Sequence, residues 1–322
     1  MGYPRPRIPW FITRPFHIGG PHPFMQQPAP LAPGTLVQGY RIVRNLAVGG
    51  FSIVYLATNA QDQQVAIKEY LPATLSSRVS GTTHTQTSPD KLRLYRLGLQ
   101  SFFHEGRTLA EISHPGVSSV LDFFAANGTV YMVMNFLQGN SLQDFIVSAR
   151  QHSGPGNLGE ATICSLFQEF LAAVRVVHQR KLLHLDLKPG NIFITSDDRV
   201  VLIDFGAARH ALDPEAMALR PMYTPGFAAP ELYVRGTPLG PWSDVYSLGA
   251  CLYSCMRGYP PMDVPTRRKT DHLAAHLERL RGAYSDALIT LVARCLSLEP
   301  ELRPQSVLEL QKSLPHGLAR AQ

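Results

Sequence analysis

From Gly39 onward, apolar residues come in short alternating runs, and from Ser141 they return at helical spacing. Tyr40–Leu46 and Ser52–Thr58 flank Ala47-Val48-Gly49-Gly50-Phe51, which predicts two strands joined by a glycine-containing turn. Gln64–Tyr70 (QVAIKEY) predicts a third strand. Its period of two sets Val65 and Ile67 toward a core and Ala66 and Lys68 on the opposite face. Residues 72–100 form a polar insertion, irregular in part, with Thr82, Thr83, Thr85, Thr87 and Ser88 as candidate phosphosites. A helix is expected from about Leu99 to Ile112, carrying Phe102, Leu109 and Ile112 and stopped by His114-Pro115. Val117–Phe124 and Thr129–Asn135 bring the strand count to five. Beyond Ser141, helices are expected near 141–151, 160–180, 242–257, 271–281, 284–297 and 304–313. Residues 1–33 are proline-rich and read as an extended tail whose Trp10, Phe11, Phe16 and Phe24 could dock elsewhere.

The chemistry concentrates between Leu182 and Phe205, LLHLDLKPGNIFITSDDRVVLIDF. Apolar runs at Asn191–Thr195 and Val200–Ile203 flank Ser196-Asp197-Asp198, which predicts a hairpin. Asp186 and Asn191 lie on the loop before it and Asp204 at its end. An acid, an amide and a second acid gathered in this way can hold divalent metal and a hydroxyl together, as phosphoryl transfer requires.

Bulk properties narrow the context. The 322 residues suffice for two lobes, and 45% hydrophobic with 17% charged residues is a globular composition. The net charge of +6 and pI near 9.2 come without clustered Lys/Arg and interleaved aromatics, so nucleic acid is not an expected partner. Cys164, Cys251, Cys255 and Cys295 form no C-x-x-C pair and read as buried small hydrophobes in a reducing compartment. No uniformly apolar run of roughly 18 residues predicts a membrane span, and no signal-peptide core is visible. Pro6 stands where a myristoylation signal needs Ser or Thr. A cytoplasmic location is therefore expected.

The order and spacing of Asp186, Asn191 and Asp204-Phe205-Gly206 resemble the eukaryotic-like protein kinases, in a bacterial serine/threonine form. The resemblance covers about residues 39–313. It implies an α+β, bilobal protein kinase fold with a small β-rich N-lobe and a larger helical C-lobe. The expected domains are a tail at 1–33, an N-lobe at 34–137, a C-lobe at 138–314 and a short tail at 315–322. It further implies ATP and Mg2+ as cofactors. Asp186 would be the catalytic base, and Lys188 would stabilise the transferred phosphate. Lys68 would hold the α- and β-phosphates and pair with Glu105 of the helix motif, with Glu111 the competing and solvated candidate. Asn191 and Asp204 would hold magnesium. The nucleotide would meet Leu46, Ala47, Val48, Gly49, Gly50, Phe51, Ser52, Val54, Ala66, Lys68, Met134, Asn135 and Leu137. Thr224, in Thr224–Glu231, would contact substrate together with Asp186 and Lys188. Glu231 would pair with Arg303, and Asp244 would cap the catalytic loop.

Asp-Leu-Lys-Pro is the serine/threonine form of this motif, so protein Ser/Thr hydroxyls are the implied acceptors. A cognate phosphatase and components of type VI secretion systems are further implied partners, the latter through the Ile67–Pro72 stretch IKEYLP. Two departures matter. Ala47 and Ser52 replace glycines of the phosphate loop, and Leu185 replaces the arginine that usually reads a phosphorylated activation loop. The segment Ala207–Met222 contains no Ser, Thr or Tyr, so both acceptor and reader are missing. Activity independent of activation-loop phosphorylation follows as an expectation, with the loop held by apolar packing of Leu185, Leu212 or Leu219. The alternative is a pseudokinase or scaffold that binds nucleotide or a partner without transfer. A small-molecule kinase is disfavoured by the Thr224–Glu231 segment.

Overall fold

The computed structural model describes residues 29–153, 158–204, 209–210, 224–234 and 236–315. The expected tail up to residue 28, Phe205-Gly206, Leu212 and Leu219 lie outside the described residues. Two compact units are present, Met1–Tyr95 with Phe124–Tyr131, and Arg96–Phe123 with Met132–Gln322. They do not divide at 137/138. Leu109, Ile112 and Val117 belong to the apolar core of the helical unit, and Ser118 N–H donates to Leu202 O at 3.0 Å. Those contacts draw Arg96–Phe123 into the second unit.

A six-stranded sheet runs β1-β2-β3-β4-β6-β5. Its strands are β1 (Leu36–Val37), β2 (Tyr40–Val48), β3 (Ser52–Thr58), β4 (Gln64–Tyr70), β5 (Val120–Ala126) and β6 (Thr129–Asn135). Five strands were expected; the sixth is the two-residue β1, too short to leave a periodic signal. β3 and β4 pair antiparallel, with Val54 opposite Lys68 and Ile53 opposite Glu69. Ile53, Tyr55 and Ile67 are fully buried. Helix α1 spans Leu92–Ala110 and so begins seven residues before the position expected from the sequence. Tyr95, Phe102 and Leu109, seven apart, are its buried hydrophobic positions.

In the second unit, β7 (Gly139–Ser141), β9 (Ile192–Thr195) and β10 (Val200–Leu202) form a sheet in the order β10-β9-β7. β8 (Leu182–Leu183) pairs with β11 (Arg209–His210). The helices are α2 (Leu142–Ser153), α3 (Glu160–Gln179), α4 (Pro241–Arg257), α5 (Val264–Lys269), α6 (Leu273–Glu278), α7 (Asp286–Cys295) and α8 (Val307–Ser313). The short α5 was not anticipated. By length and composition α3 is apolar enough to cross a membrane. Here Ile163, Phe167, Phe170, Leu171, Val174 and Val177 are instead buried in the unit's core, which accounts for that composition. Helix α4 is buried from Ser243 to Met256. At Gly249 it approaches α7 so closely that a Cβ would sit 2.4 Å from the Cβ of Cys295. All four cysteines are free and buried.

Candidate active site

The loop between β8 and β9 is held from beneath by one carboxylate. Asp244, fully buried in the first turn of α4, accepts from His184 N–H and Leu185 N–H, each at 2.8 Å. His178 Nε2, at the end of α3, lies 2.8 Å from the same carboxylate. Burial alone would raise the Asp244 pKa; the His178 bond, the two nearby imidazoles and the His184 amide outweigh it and hold the carboxyl below its usual range. Leu185 adopts a left-handed conformation, φ 62°, unfavourable for a leucine. Its amide bond to Asp244 and its buried side chain fix it there. Leu185 packs with Leu183, Ala228 and Leu232.

This bend delivers Asp186 with both carboxylate oxygens engaged. Lys188 Nζ donates to Oδ2 at 2.6 Å, and Thr224 Oγ1 donates to Oδ1 at 2.8 Å. Lys188 Nζ also donates to Thr224 Oγ1 at 3.0 Å, closing a triangle of acid, amine and hydroxyl. Asn191, on the 3-10 turn Pro189–Asn191, donates through Nδ2 to the Asp186 carbonyl at 2.9 Å. Asp186 N–H approaches His184 Nδ1 at 3.3 Å. Burial lowers the His184 pKa against the opposing pull of the Asp244, Asp186 and Asp204 carboxylates, so the imidazole is neutral.

Thr224 is presented by a segment that α4 also anchors. Ser247 Oγ donates to Phe227 O at 2.8 Å. Gly226, φ 87°, passes so close to Pro261 O that a Cβ there would stand at 2.9 Å. Glu231 ends the segment, accepting from Arg303 Nη1 at 2.8 Å, Arg303 Nη2 at 3.1 Å and Ser243 Oγ at 2.7 Å. The Glu231–Arg303 pair and the Asp244 cap thus form as the sequence suggested. Sequence reasoning missed His178 and Ser247. Their signals were faint: a histidine in the last turn of a helix, and a serine one turn beyond the capping aspartate.

The remaining predicted residues distribute as follows. Leu46, Ala47, Val48, Gly49, Gly50, Phe51, Ser52, Val54, Ala66 and Lys68 lie in the first unit. Ala47 pairs with Val54 in the β2–β3 ladder, where a Cβ is tolerated, and Gly49 N–H donates to Ser52 O at 2.9 Å. Lys68 is buried, 3% exposed. Met134 and Asn135 close β6, and Leu137 follows, all in the second unit. Glu105 falls within α1, and its side chain lies outside the described residues. Glu111 is solvated, 59% exposed, with Arg180 at 3.8 Å. Asp204 follows β10 with φ 59°. With the Asn191 amide nitrogen committed to Asp186 O, its side-chain carbonyl oxygen and the Asp204 carboxylate are of the oxygen-donor type that magnesium takes.

Residues 40–314 match the family model described as protein kinase domain. The chain is 30% identical over 302 residues to the serine/threonine-protein kinase pkn2 of Myxococcus xanthus, covering 88% of this chain and 33% of that protein. It is 29% identical over 303 residues to the serine/threonine-protein kinase PknF of Mycobacterium tuberculosis, covering 91% of this chain and 59% of that protein. A solved structure titled PpkA-294 apo form superposes with a TM-score of 0.76 at 34% identity, over 89% of this chain and 99% of that one. The chain spans about a quarter to a third of the length of the first curated relatives it matches. The matched span contains every residue of the Asp186–Lys188–Thr224 triangle and the Asp244 and Glu231 anchors beneath it, and the chain belongs to the protein kinase domain family.

Proposed function

We propose that this chain is a serine/threonine protein kinase that transfers the γ-phosphate of ATP to protein hydroxyls and works without activation-loop phosphorylation. The observation that carries the reading is the closed triangle of Asp186, Lys188 and Thr224. Asp186 orients and accepts the proton of the attacking hydroxyl. Lys188, already 2.6 Å from Asp186, offers positive charge beside the phosphate that moves. Thr224 places a hydroxyl against the base. Asn191 and Asp204 would hold magnesium, which when bound supplies charge neutralisation at the phosphate oxygens. Lys68, Glu105, the Leu46–Val54 segment, Ala66, Met134, Asn135 and Leu137 are the proposed nucleotide contacts.

Independence from phosphorylation is supported by Leu185. An arginine at this position would need an anion, whereas Leu185 is buried in an apolar cluster with the residues that follow Thr224. That packing fixes the segment without added charge. A cognate phosphatase and type VI secretion components as partners rest on the sequence resemblance alone, and a cytoplasmic setting on the sequence composition and signals.

The test incubates wild type and Asp186→Asn with Mg-ATP, with and without a basic acceptor protein, and maps the phosphosites. Transfer to Ser/Thr by the wild type and none by the variant is the expected outcome. Nucleotide binding without transfer in either supports the scaffold reading. An activating phosphate at Tyr223 or Thr224 removes the claim of independence.

A further inference from the structure

Strand β4 carries a second charged residue beside its lysine. The alternation that puts Lys68 on one face puts Glu69 on the face of Val65 and Ile67, and Glu69 is fully buried. An ionised carboxylate is tolerated there only if its hydrogen-bonding capacity is met. Arg78, nine residues on, meets it with a two-pronged contact: Nη1 donates to Oε2 at 3.0 Å and Nη2 donates to Oε1. Tyr55 OH donates to Oε2 at 2.8 Å and Tyr131 OH to Oε1 at 2.6 Å, so each oxygen takes two bonds. Burial, and then the Glu69 carboxylate, push both phenols well above their ordinary pKa, which keeps them donors.

The network reaches further through the same unit. Arg78 Nε donates to Thr83 O at 3.0 Å and Nη1 to Ala29 O at 3.2 Å. Tyr55 OH accepts from Leu31 N–H at 3.1 Å, and Tyr131 OH accepts from Asn127 Nδ2 at 3.1 Å. Four other stretches therefore join in a network around one buried carboxylate, one residue from Lys68. Both side chains of the pair are 0% exposed.

β4 lies between β3 and β6 in the sheet, and a slip by one residue would turn every one of its side chains to the opposite face. A buried carboxylate with a fitted arginine fits one register only. We propose that Glu69 and Arg78 are positioning residues, a register pin that keeps Lys68 opposite Val54 and directs its amine to the nucleotide side of β4. The insertion that carries Arg78 is on this view part of the lysine's mounting, and Ala29–Leu31 closes it. The inference rests on the kinase reading for what Lys68 does, and on the unit's own geometry for how Lys68 is held.

The test uses the full chain as wild type, the double variant Glu69→Leu/Arg78→Leu and the conservative Arg78→Lys. Three quantities are measured: melting temperature, kcat/KM for ATP, and the rate at which an amine-acylating reagent labels Lys68, read by peptide mass spectrometry. The apolar pair is expected to melt within a few degrees of wild type, lose at least tenfold in kcat/KM for ATP and label Lys68 at least fivefold faster. Arg78→Lys keeps the charge but cannot span both oxygens, and is expected to fall between the two in labelling. A double variant with wild-type kcat/KM and labelling makes the pair a mere core filler and overturns the proposal. If the double variant does not fold, Arg78→Lys decides, and a lowered melting temperature with unchanged Lys68 labelling overturns it equally. A wild type that transfers no phosphate would defeat the kinase reading while leaving the labelling comparison intact.

Discussion

Replacing Arg303 by leucine isolates one of the most heavily bonded side chains in the helical unit. Arg303 is 1% exposed, and all five of its N–H groups are used. Nε donates to Ser297 O at 2.9 Å, Nη1 to Glu231 Oε1 and Trp242 O, and Nη2 to Glu231 Oε2 and Leu298 O. Its guanidinium also lies 5.1 Å from the centre of the Tyr246 ring. Arg303→Leu strands the buried Glu231 carboxylate with Ser243 as its remaining donor and leaves three carbonyls without this partner. Breaking a buried pair from one side costs about 3–5 kcal/mol. Against a typical stability of about 5–15 kcal/mol, that is a large fraction. Removing both charges in Glu231→Leu/Arg303→Leu should recover part of the loss, because no uncompensated charge remains although the three carbonyls still lack this partner. The assay is urea unfolding followed by fluorescence in a Trp10→Phe background, where Trp242, adjacent to the pair, is the sole tryptophan. Phosphate transfer should fall with the single change as well, since Glu231 closes the segment that presents Thr224. A single variant within about 1 kcal/mol of wild type, or a double variant no better than the single, would refute the reasoning.

Two further outcomes follow from burial. The His184 imidazole has its pKa lowered by burial, while in the unfolded chain it titrates near 6.5. The unfolded state therefore takes up a proton that the folded state refuses, so this contribution to stability is complete above about pH 6.5 and is lost as pH falls below it. The slope is at most about 1.4 kcal/mol per pH unit, and a His184→Gln variant should show a correspondingly flatter profile between pH 7 and 5. Identical slopes in the two proteins refute the assignment. Gly249→Ala gains about 1 kcal/mol in helix propensity but drives a methyl into the Cys295 Cβ, at a cost of about 1–3 kcal/mol. Net destabilisation is expected in thermal melts, with no rescue by Cys295→Ala, which retains the clashing Cβ; a stabilised variant contradicts the packing.

The Asp186 loop was legible because Asp186, Asn191 and Asp204 bracket one short hairpin, where spacing and polarity speak directly. Ser52–Thr58, Gln64–Tyr70 and Thr129–Asn135 fall at the expected residues because each has clear turn residues at its ends. The start of α1 was obscured by its own sequence. Leu92, Leu94 and Leu97 follow no single helical face, Gly98 interrupts the run, and the start signal at Ser88-Pro89-Asp90 lies inside a polar stretch. The link between Glu231 and Arg303 spans 72 residues and came from family resemblance, not from any local pattern. Glu69 is different again. Its alternation with Val65 and Ile67 already placed a carboxylate in the core, but the partner that makes this tolerable arrives through an irregular stretch whose path no periodicity describes.

Three consecutive residues and a fourth near the start of α4 act as a shared bearing. Trp242 O, Ser243 and Asp244 take hold of Arg303, Glu231 and the His184-Leu185 amides, and Ser247 takes hold of Phe227. The Asp186 carboxylate and the hydroxyl of Thr224 therefore hang from the start of one helix rather than from two separate supports. Thermal jostling that shifts this turn carries both together, and the gap between them varies less than the position of either. Such common-mode suspension lets the rest of the helical unit breathe, or accept substitutions that tilt α4 slightly, while the spacing between Asp186 and Thr224 holds to within a hydrogen bond's tolerance.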